Sequence, residues 1–417
     1  MEKKIEIEIN SEVGELEGVI LHTPGSEVEN MTPENAERAL YSDILNLAVV
    51  QKEYEQFSGV LDKVTNTFQV RKLLFEILQT PSIKTALVSK ITENCNIEEV
   101  KSYLLETEPK ELTKILIEGL PRQKNSLTNY LNTKYFSLEP LHNFFFTRDA
   151  SSAISNSVLI NKMASNVRKR ESDIMQAIFE HHPSFITNTI TPQFSRYFNP
   201  EISMEGGDIL VARKDVLIIG TGIRTTSQGI DYIANKIESK SAPRHIIVQQ
   251  LPKEPESFIH LDMVFTLLDR DTCMVYEPLI LKLNEYRTIH MIVENGKIIS
   301  INEVPNIIEA LKNIGMPMKT VLCGGENKYI QEREQWHSGA NFFAFAPGKI
   351  IGYERNSYTI DALNKSGFSV VTAEDIVSGK EDVKKHKKVV VTIKGSELSR
   401  GGGGARCMTM PIRRKSL

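Results

Sequence analysis

Two kinds of hydrophobic recurrence divide this chain. Short apolar runs predict strands at EGVILH, which ends at His22, and at VLIIG (216–220), HIIVQQL (245–251) and KVVVTI (388–393). The opening MEKKIEIEIN alternates charge with isoleucine and reads as a further strand. Helix-like segments lie between such runs, among them SQGIDYIANKIESK and a stretch near 33–62, where Thr32-Pro33 supplies an N-cap and a first helical residue. This alternation predicts an α/β fold. From about Lys72 to Tyr135 the texture changes. KLLFEILQT, NIEEVKSYLLET with Asn96 as its N-cap, and PKELTKILIEGLP, closed by Gly119 and Pro121, predict three short amphipathic helices in a row. We expect one catalytic α/β domain, 1–71 and 136–417, carrying a helical insertion domain at 72–135. The sequence shows no fixed internal repeat and no low-complexity linker.

Composition narrows the function. The chain has 417 residues, is 41% hydrophobic and 25% charged, and is large enough for a full core around a polar site. A formal charge of −3 gives no electrostatic footprint for nucleic acid. No apolar run approaches the ~18 residues that span a bilayer, so we expect no membrane role. The N-terminus lacks the apolar stretch and cleavage site of a secretory signal. Four scattered cysteines (Cys95, Cys273, Cys323, Cys407) suit reduced thiols in the cytoplasm, and the lack of a CxxC pair gives a cysteine-based zinc site no support.

Several stretches carry candidate chemistry. In FIHLDMVF (258–265), apolar residues alternate around His260 and Asp262. On a strand these two would share one wall, as a proton-exchanging imidazole beside a carboxylate, or as a satisfied core histidine. MEGGDILV (204–211) sets Glu205 and Asp208 around two glycines before an apolar strand, either as acids facing a cation or as a hairpin turn with solvated acids. NFFFTRDA (143–150) offers Phe146 as an apolar wall, Asp149 as a third carboxylate, and Arg148 to pair with an acid and hold the loop. Arg168 and Arg224 are forks suited to a carboxylate.

The last such stretch is ELSRGGGGARCMTMPIRR (397–414). A thiol is a useful nucleophile only near positive charge or a partner base, for which Arg406, His260 or a cationic substrate would serve. Gly401 to Gly404 would let backbone approach a ligand closely. The competing readings are a phosphate loop, for which GxxxxGK[ST] is absent, and a frayed tail.

Taken in order, LHTPGSEVENMTPEN (21–35), NFFFTRDA, NVRKRES, MEGGD, TGIRTTSQGI, FIHLDMVFT, CGGENKYIQEREQWHSGANFFAFAPG (323–348) and GGGGARCMTMPI resemble arginine deiminase, of the guanidino-group modifying superfamily. The resemblance covers essentially the whole chain. It implies a pseudo-fivefold α/β propeller of five ββαβ modules, with the helical insertion. It also implies hydrolysis of L-arginine to L-citrulline and ammonia through a covalent thiouronium on cysteine, with no metal and no organic cofactor, in a cytoplasmic homo-oligomer (dimer or tetramer).

By position, the resemblance makes Cys407 the nucleophile, His260 the general acid/base and Glu205 its partner. Asp149 and Asp262 would grip the guanidinium, and Asn143, Phe146, Arg168 and Arg224 would position the substrate. Two departures stand out. Ala150 replaces a common proline, and Gly402 stands where some relatives carry an arginine, so that a carboxylate contact is absent or supplied by Arg400 or Arg406. Alternatives are a deiminase of agmatine or another guanidine, a non-catalytic guanidine-binding protein, or RNA binding through the RGGGG tail. The remaining cysteines are expected to be buried and structural.

Overall fold

The computed structural model describes residues 4–31, 43–192, 201–236 and 244–417. The proposed Thr32-Pro33 cap and the end of SQGIDYIANKIESK, residues 237–240, lie outside them. The helix expected near 33–62 is described as Leu47–Val64, capped by Asn46, whose side chain accepts from the Val49 N–H.

Among the described residues the strands form five sheets of three or more members, each built on the same pattern: an antiparallel pair, a helical crossover, then a strand parallel to the second. Ser151–Ile154 and Ser157–Ile160 are followed by helix Lys169–His181 and strand Asn188–Ile190. Ile209–Arg213 and Val216–Thr221 are followed by helix Ser227–Lys236 and strand Arg244–Gln250, to which the hairpin Thr288–Glu294 and Lys297–Val304 adds. Phe265–Asp269 and Thr272–Val275 return to Lys319–Leu322. Phe343–Ala346 and Lys349–Tyr353 pass through helix Ser357–Lys365 before Val389–Ile393, with Ser369–Thr372 on the far edge.

The fifth sheet joins distant parts of the chain. Met410–Arg414 pairs antiparallel with Leu16–Leu21, which leads through helix Leu47–Val64 to the parallel strand Asn66–Gln69. The C-terminal segment is therefore a paired strand rather than a frayed tail. Five ββαβ units exist without a sequence repeat, because their shared feature is backbone pairing rather than residue identity.

This arrangement sets the site. The segment leading into the first strand of every unit carries polar side chains that are buried: Asp149, Glu205 with Asp208, His260 with Asp262, Asn341, and Cys407. Five sequence-distant segments thus supply one residue group each.

Between residues 70 and 131 the chain is largely helical, in Val70–Leu78, Pro81–Cys95, Lys101–Glu106, Pro109–Glu118 and Leu127–Leu131. Pro109 opens its helix and Gly119, at φ 91°, closes it as expected. Asn96 does not cap the start of a helix. It closes Pro81–Cys95 in the left-handed conformation, φ 53°, which asparagine tolerates well. The helical stretch shares a continuous apolar core with helix Lys169–His181, through Leu73, Leu74, Leu116 and Ile178. The opening strand is short, Ile5–Glu6, beside Phe185–Ile186. Among the described residues, no helix is long and apolar enough to cross a membrane.

Candidate active site

Every predicted site residue except Asp262 lines one cavity of about 450 Å³: Cys407, His260, Glu205 and Asp149 with Asn143, Phe146, Arg168 and Arg224. Asp262 reaches the nucleophile from within the protein, its two oxygens 3.7 and 3.9 Å from Cys407 Sγ, and is fully buried. His260 and Asp262 do not sit on a strand. They flank and enter a 3-10 turn, Leu261–Met263, and the strand begins only at Phe265. Asp208 Oδ1, 53 residues away in the chain, accepts the Leu261 N–H at 2.9 Å and so takes a donor that a strand ladder would use.

Glu205 and His260 form a buried hydrogen-bonded pair. His260 Nε2 stands 2.9 Å from Glu205 Oε2, and its Nδ1 stands 3.8 Å from Asp149 Oδ1. Burial alone would favour a neutral ring. The Asp149 charge, then the Glu205 hydrogen bond, outweigh it and lift His260 to about 9. Burial alone would likewise raise the Glu205 carboxyl. The hydrogen bond and charge of His260, then the charges of Arg224 and Arg168, hold it down at about 2. The imidazole is a charged proton donor at neutral pH. Asp208 is pushed up to about 7, first by burial; it supports the His260 turn and does not line the cavity.

Asp149 and Asp262 each have one oxygen engaged by a protein arginine, and the other Asp149 oxygen accepts the Gly207 N–H at 3.2 Å. Arg168 Nη1 donates to Asp149 Oδ2 at 2.7 Å, its Nε and Nη2 donate to Glu171, and Nη2 also reaches the carbonyls of Asn143 and Phe146. Its donors are thus taken up by protein acceptors. Arg406 Nη1 donates to Asp262 Oδ2 at 2.9 Å, while its Nε and Nη2 hold Glu12. Arg224 differs: its Nη1 is 3.8 Å from Glu205 Oε1, and its buried Nε has no hydrogen-bond partner among the described residues.

The Cys407 thiol is pushed well above its ordinary value, by burial first and then by the charges of Asp262 and Asp149. Arg406 acts against this, but its donors are engaged by Glu12, Asp262 and the Ile209 carbonyl. A further positive charge beside Cys407 would favour its thiolate. Its loop is held by Arg148, whose backbone N–H donates to the Cys407 carbonyl and whose side chain donates to the Arg406 carbonyl and Thr409. Arg148 thus clamps the loop through carbonyl and hydroxyl acceptors, not through a hydrogen-bonded acid.

Gly403 must be bare, because a Cβ there would lie 2.5 Å from the Phe146 ring. Gly402 leaves its position without a side chain, and Arg400 lines the cavity while held by Asp43 and Glu397. Of the other cysteines, Cys273 and Cys323 are buried and Cys95 is exposed, so the expectation of burial fails at Cys95.

Sequence reasoning missed Glu12, Glu171 and Asn341. Glu12 is signalled by nothing in its neighbourhood, because its partner Arg406 is remote, whereas Glu171 stands three residues after Arg168 in NVRKRES and its spacing there could have found it. Asn341 sits in SGANFFAFAPG, whose hydrophobic run hides it.

The arginine deiminase family matches residues 37–414. The chain belongs to that family of hydrolases, which act on amidine C–N bonds. It is 34% identical to an arginine deiminase of Listeria monocytogenes serotype 4a (strain HCC23), over 100% of this chain and 99% of the relative. It is equally 34% identical to one from Mycoplasma capricolum subsp. capricolum (strain California kid), over 100% and 99%. Among solved structures, SxtG, an amidinotransferase from Microseira wollei, superposes with TM-score 0.54 at 14% identity, covering 99% of this chain and 98% of that one. The N-terminal domain of ArgZ, a cyanobacterial arginine dihydrolase, in a substrate-bound mutant, gives TM-score 0.54 at 13% identity over 96% and 99%. This family member therefore has the mixed α/β fold of the amidinotransferase-like proteins.

Proposed function

We propose that the cavity hydrolyses L-arginine to L-citrulline and ammonia through a thiouronium on Cys407. The observation that carries this reading is the meeting at one cavity of a thiol, a protonated imidazole and the Asp149 carboxylate, with Asp262 buried behind the thiol. A guanidinium is planar and cationic, with outward donors, so Asp149 on the cavity wall can accept from it directly, whereas Asp262, off the cavity, would be reached only past the Cys407 sulfur. Its charge is the one the thiol lacks. Bound there, it favours loss of the Cys407 proton to bulk water.

The S–C bond then forms at the guanidinium carbon, and the C=N electron pair moves onto nitrogen. His260 gives that nitrogen its proton, the C–N bond breaks, and ammonia leaves. Water adds to the thiouronium, one of its protons returning to His260; the second passes to bulk water as the S–C electrons go back to sulfur and the C=O of citrulline forms. Glu205 holds the imidazole throughout.

Arg224, with an unpartnered buried Nε, fits the substrate's α-carboxylate. Arg168 positions substrate by fixing Asp149 and the carbonyls of Asn143 and Phe146. With Gly402 lacking a side chain, Arg400 is our candidate for the additional carboxylate contact, since Arg406 is committed to Glu12 and Asp262. The five units would surround a pseudo-fivefold axis, with 72–135 as the helical insertion domain. Four free thiols agree with a reducing compartment such as the cytoplasm. Homo-oligomerisation is proposed from the resemblance, and light scattering tests it.

Incubation with L-arginine should yield citrulline and ammonia in equal amounts, with agmatine a poorer substrate. A preference for agmatine would overturn carboxylate recognition by Arg224. Tight arginine binding without ammonia release, by correctly folded protein, would favour the guanidine-binding alternative.

A further inference from the structure

The carboxamide of Asn341 stands against the nucleophile and has no part in the roles above. It is 1% exposed and lies just before the strand Phe343–Ala346. Its Oδ1 accepts the backbone N–H of Arg406 at 2.9 Å and of Cys407 at 3.3 Å. Its Nδ2 donates to the Asp262 carbonyl at 3.2 Å and to Cys407 Sγ at 3.1 Å. These partners fix which end is which. Backbone N–H groups only donate and a carbonyl only accepts, so the amide sits in one orientation and its NH2 must face the sulfur. The approach is close: a Cβ at Gly404 would lie 2.6 Å from Asn341 Cβ, so the loop passes the amide only because glycine is bare there.

A second observation points the same way. In four units the segment before the first strand supplies a group of the proposed site: Asp149, Glu205, His260 with Asp262, and Cys407. The remaining unit places Asn341 in that position.

We propose that Asn341 is a catalytic residue, which aims the Cys407 sulfur and, through its N–H, stabilises the thiolate that attacks the guanidinium carbon. This rests on the deiminase reading for the attacked atom, but not for the effect on the thiol. The ionisation is RSH to RS⁻ with the proton released to water. Around the sulfur, Asp262 and Asp149 oppose it, Arg406 and the Gly404 N–H favour it, and the Tyr353 hydroxyl is turned to the Gly403 carbonyl. A neutral amide adds a donor that does not titrate and does not repel a cationic substrate.

Two variants are compared. Asn341→Asp keeps an oxygen for the Arg406 and Cys407 N–H groups but sets a negative charge as well as an acceptor against sulfur, whereas Asn341→Ala removes the donor without adding charge. In a Cys95→Ser background, Cys407 alkylation by iodoacetamide is followed against pH by mass spectrometry, alongside steady-state kinetics and arginine binding. We expect the alkylation profile to move up by about one pH unit or more, and kcat to fall on the order of 10²-fold, as for loss of a positioned donor in other active sites, with arginine affinity little changed. Asn341→Ala, which adds no charge, is the deciding variant, and the upward displacement is expected there too. A folded variant with the parent's alkylation profile would overturn the proposal. Because alkylation needs no arginine, failure of the wild-type protein to make citrulline would count against the deiminase reading and leave this result standing.

Discussion

Arg168 Nη1 lies 2.7 Å from Asp149 Oδ2, with both side chains almost wholly buried, and the same guanidinium holds Glu171. Removing one partner of a buried pair leaves an uncompensated charge, at a cost of about 3–5 kcal/mol. Arg168→Met should therefore lower stability by that order in urea titration and raise KM. Arg168→Lys should recover part of the stability but little of the geometry, because an ammonium cannot fork onto two carboxylates. Full activity in Arg168→Met would remove Arg168 from the site.

The acid–base pair sets a pH window. His260 is raised from its ordinary 6.5 to about 9, so its contribution is fully present below 6.5 and is lost as pH rises through about 9. Glu205 is lowered from 4.5 to about 2, so its contribution is present above 4.5 and fades as pH falls towards 2. Unfolding midpoints should decline on both flanks. His260→Gln should flatten the alkaline flank between pH 6.5 and 9, and an unchanged slope there would contradict the assigned shift.

Gly403 runs against the Phe146 ring. In Gly403→Ala the new Cβ must displace the ring from the cavity wall, and misplacing a substrate contact by about an ångström costs up to about 10²-fold. Kinetics on L-arginine should show a loss in kcat/KM of that order, with far-UV circular dichroism unchanged.

Arg400 lines the cavity while paired with Asp43 and Glu397. If it supplies the contact that Gly402 lacks, Arg400→Ala should raise KM for arginine about tenfold, in keeping with a charged hydrogen bond of about 1.5–3 kcal/mol, and leave agmatine unaffected. Equal losses on both substrates would point to a role in holding the loop instead.

Asp149, Glu205 and His260 offer ligand atoms all within 4.8 Å of one another, close enough for a metal ion. Arg168 already lies against Asp149, and His260, held charged, has no lone pair to offer. Prolonged EDTA treatment should leave citrulline formation unchanged. Loss of activity restored by a divalent cation would overturn the metal-free reading.

The sequence by itself determined the local elements whose signal is local. Val216–Thr221 and Val389–Ile393 were legible because runs of β-branched residues bounded by turn residues have few other uses, and the Pro109–Glu118 helix because proline and glycine bracket it. The ordered motifs likewise named the family, and named residues that the structure brings to one cavity. Pro81–Cys95 escaped notice because only a narrow face of it, Leu87, Val88 and Ile91, is apolar, with lysines and serines between. FIHLDMVF read as a strand, yet an Asp208–backbone hydrogen bond, invisible to any periodicity, turned it.

Only the tertiary structure decided which charges meet. Arg406 is spent on Glu12, 394 residues away, and Arg168 is bound to Asp149 and Glu171 rather than left open. Asn341 is delivered to the sulfur by a sheet that its own neighbourhood does not announce. Side-chain type is written in the sequence. The burial that fixes each group's charge, and the partner that balances it, arise only when distant segments are brought within a few ångströms in a dry interior.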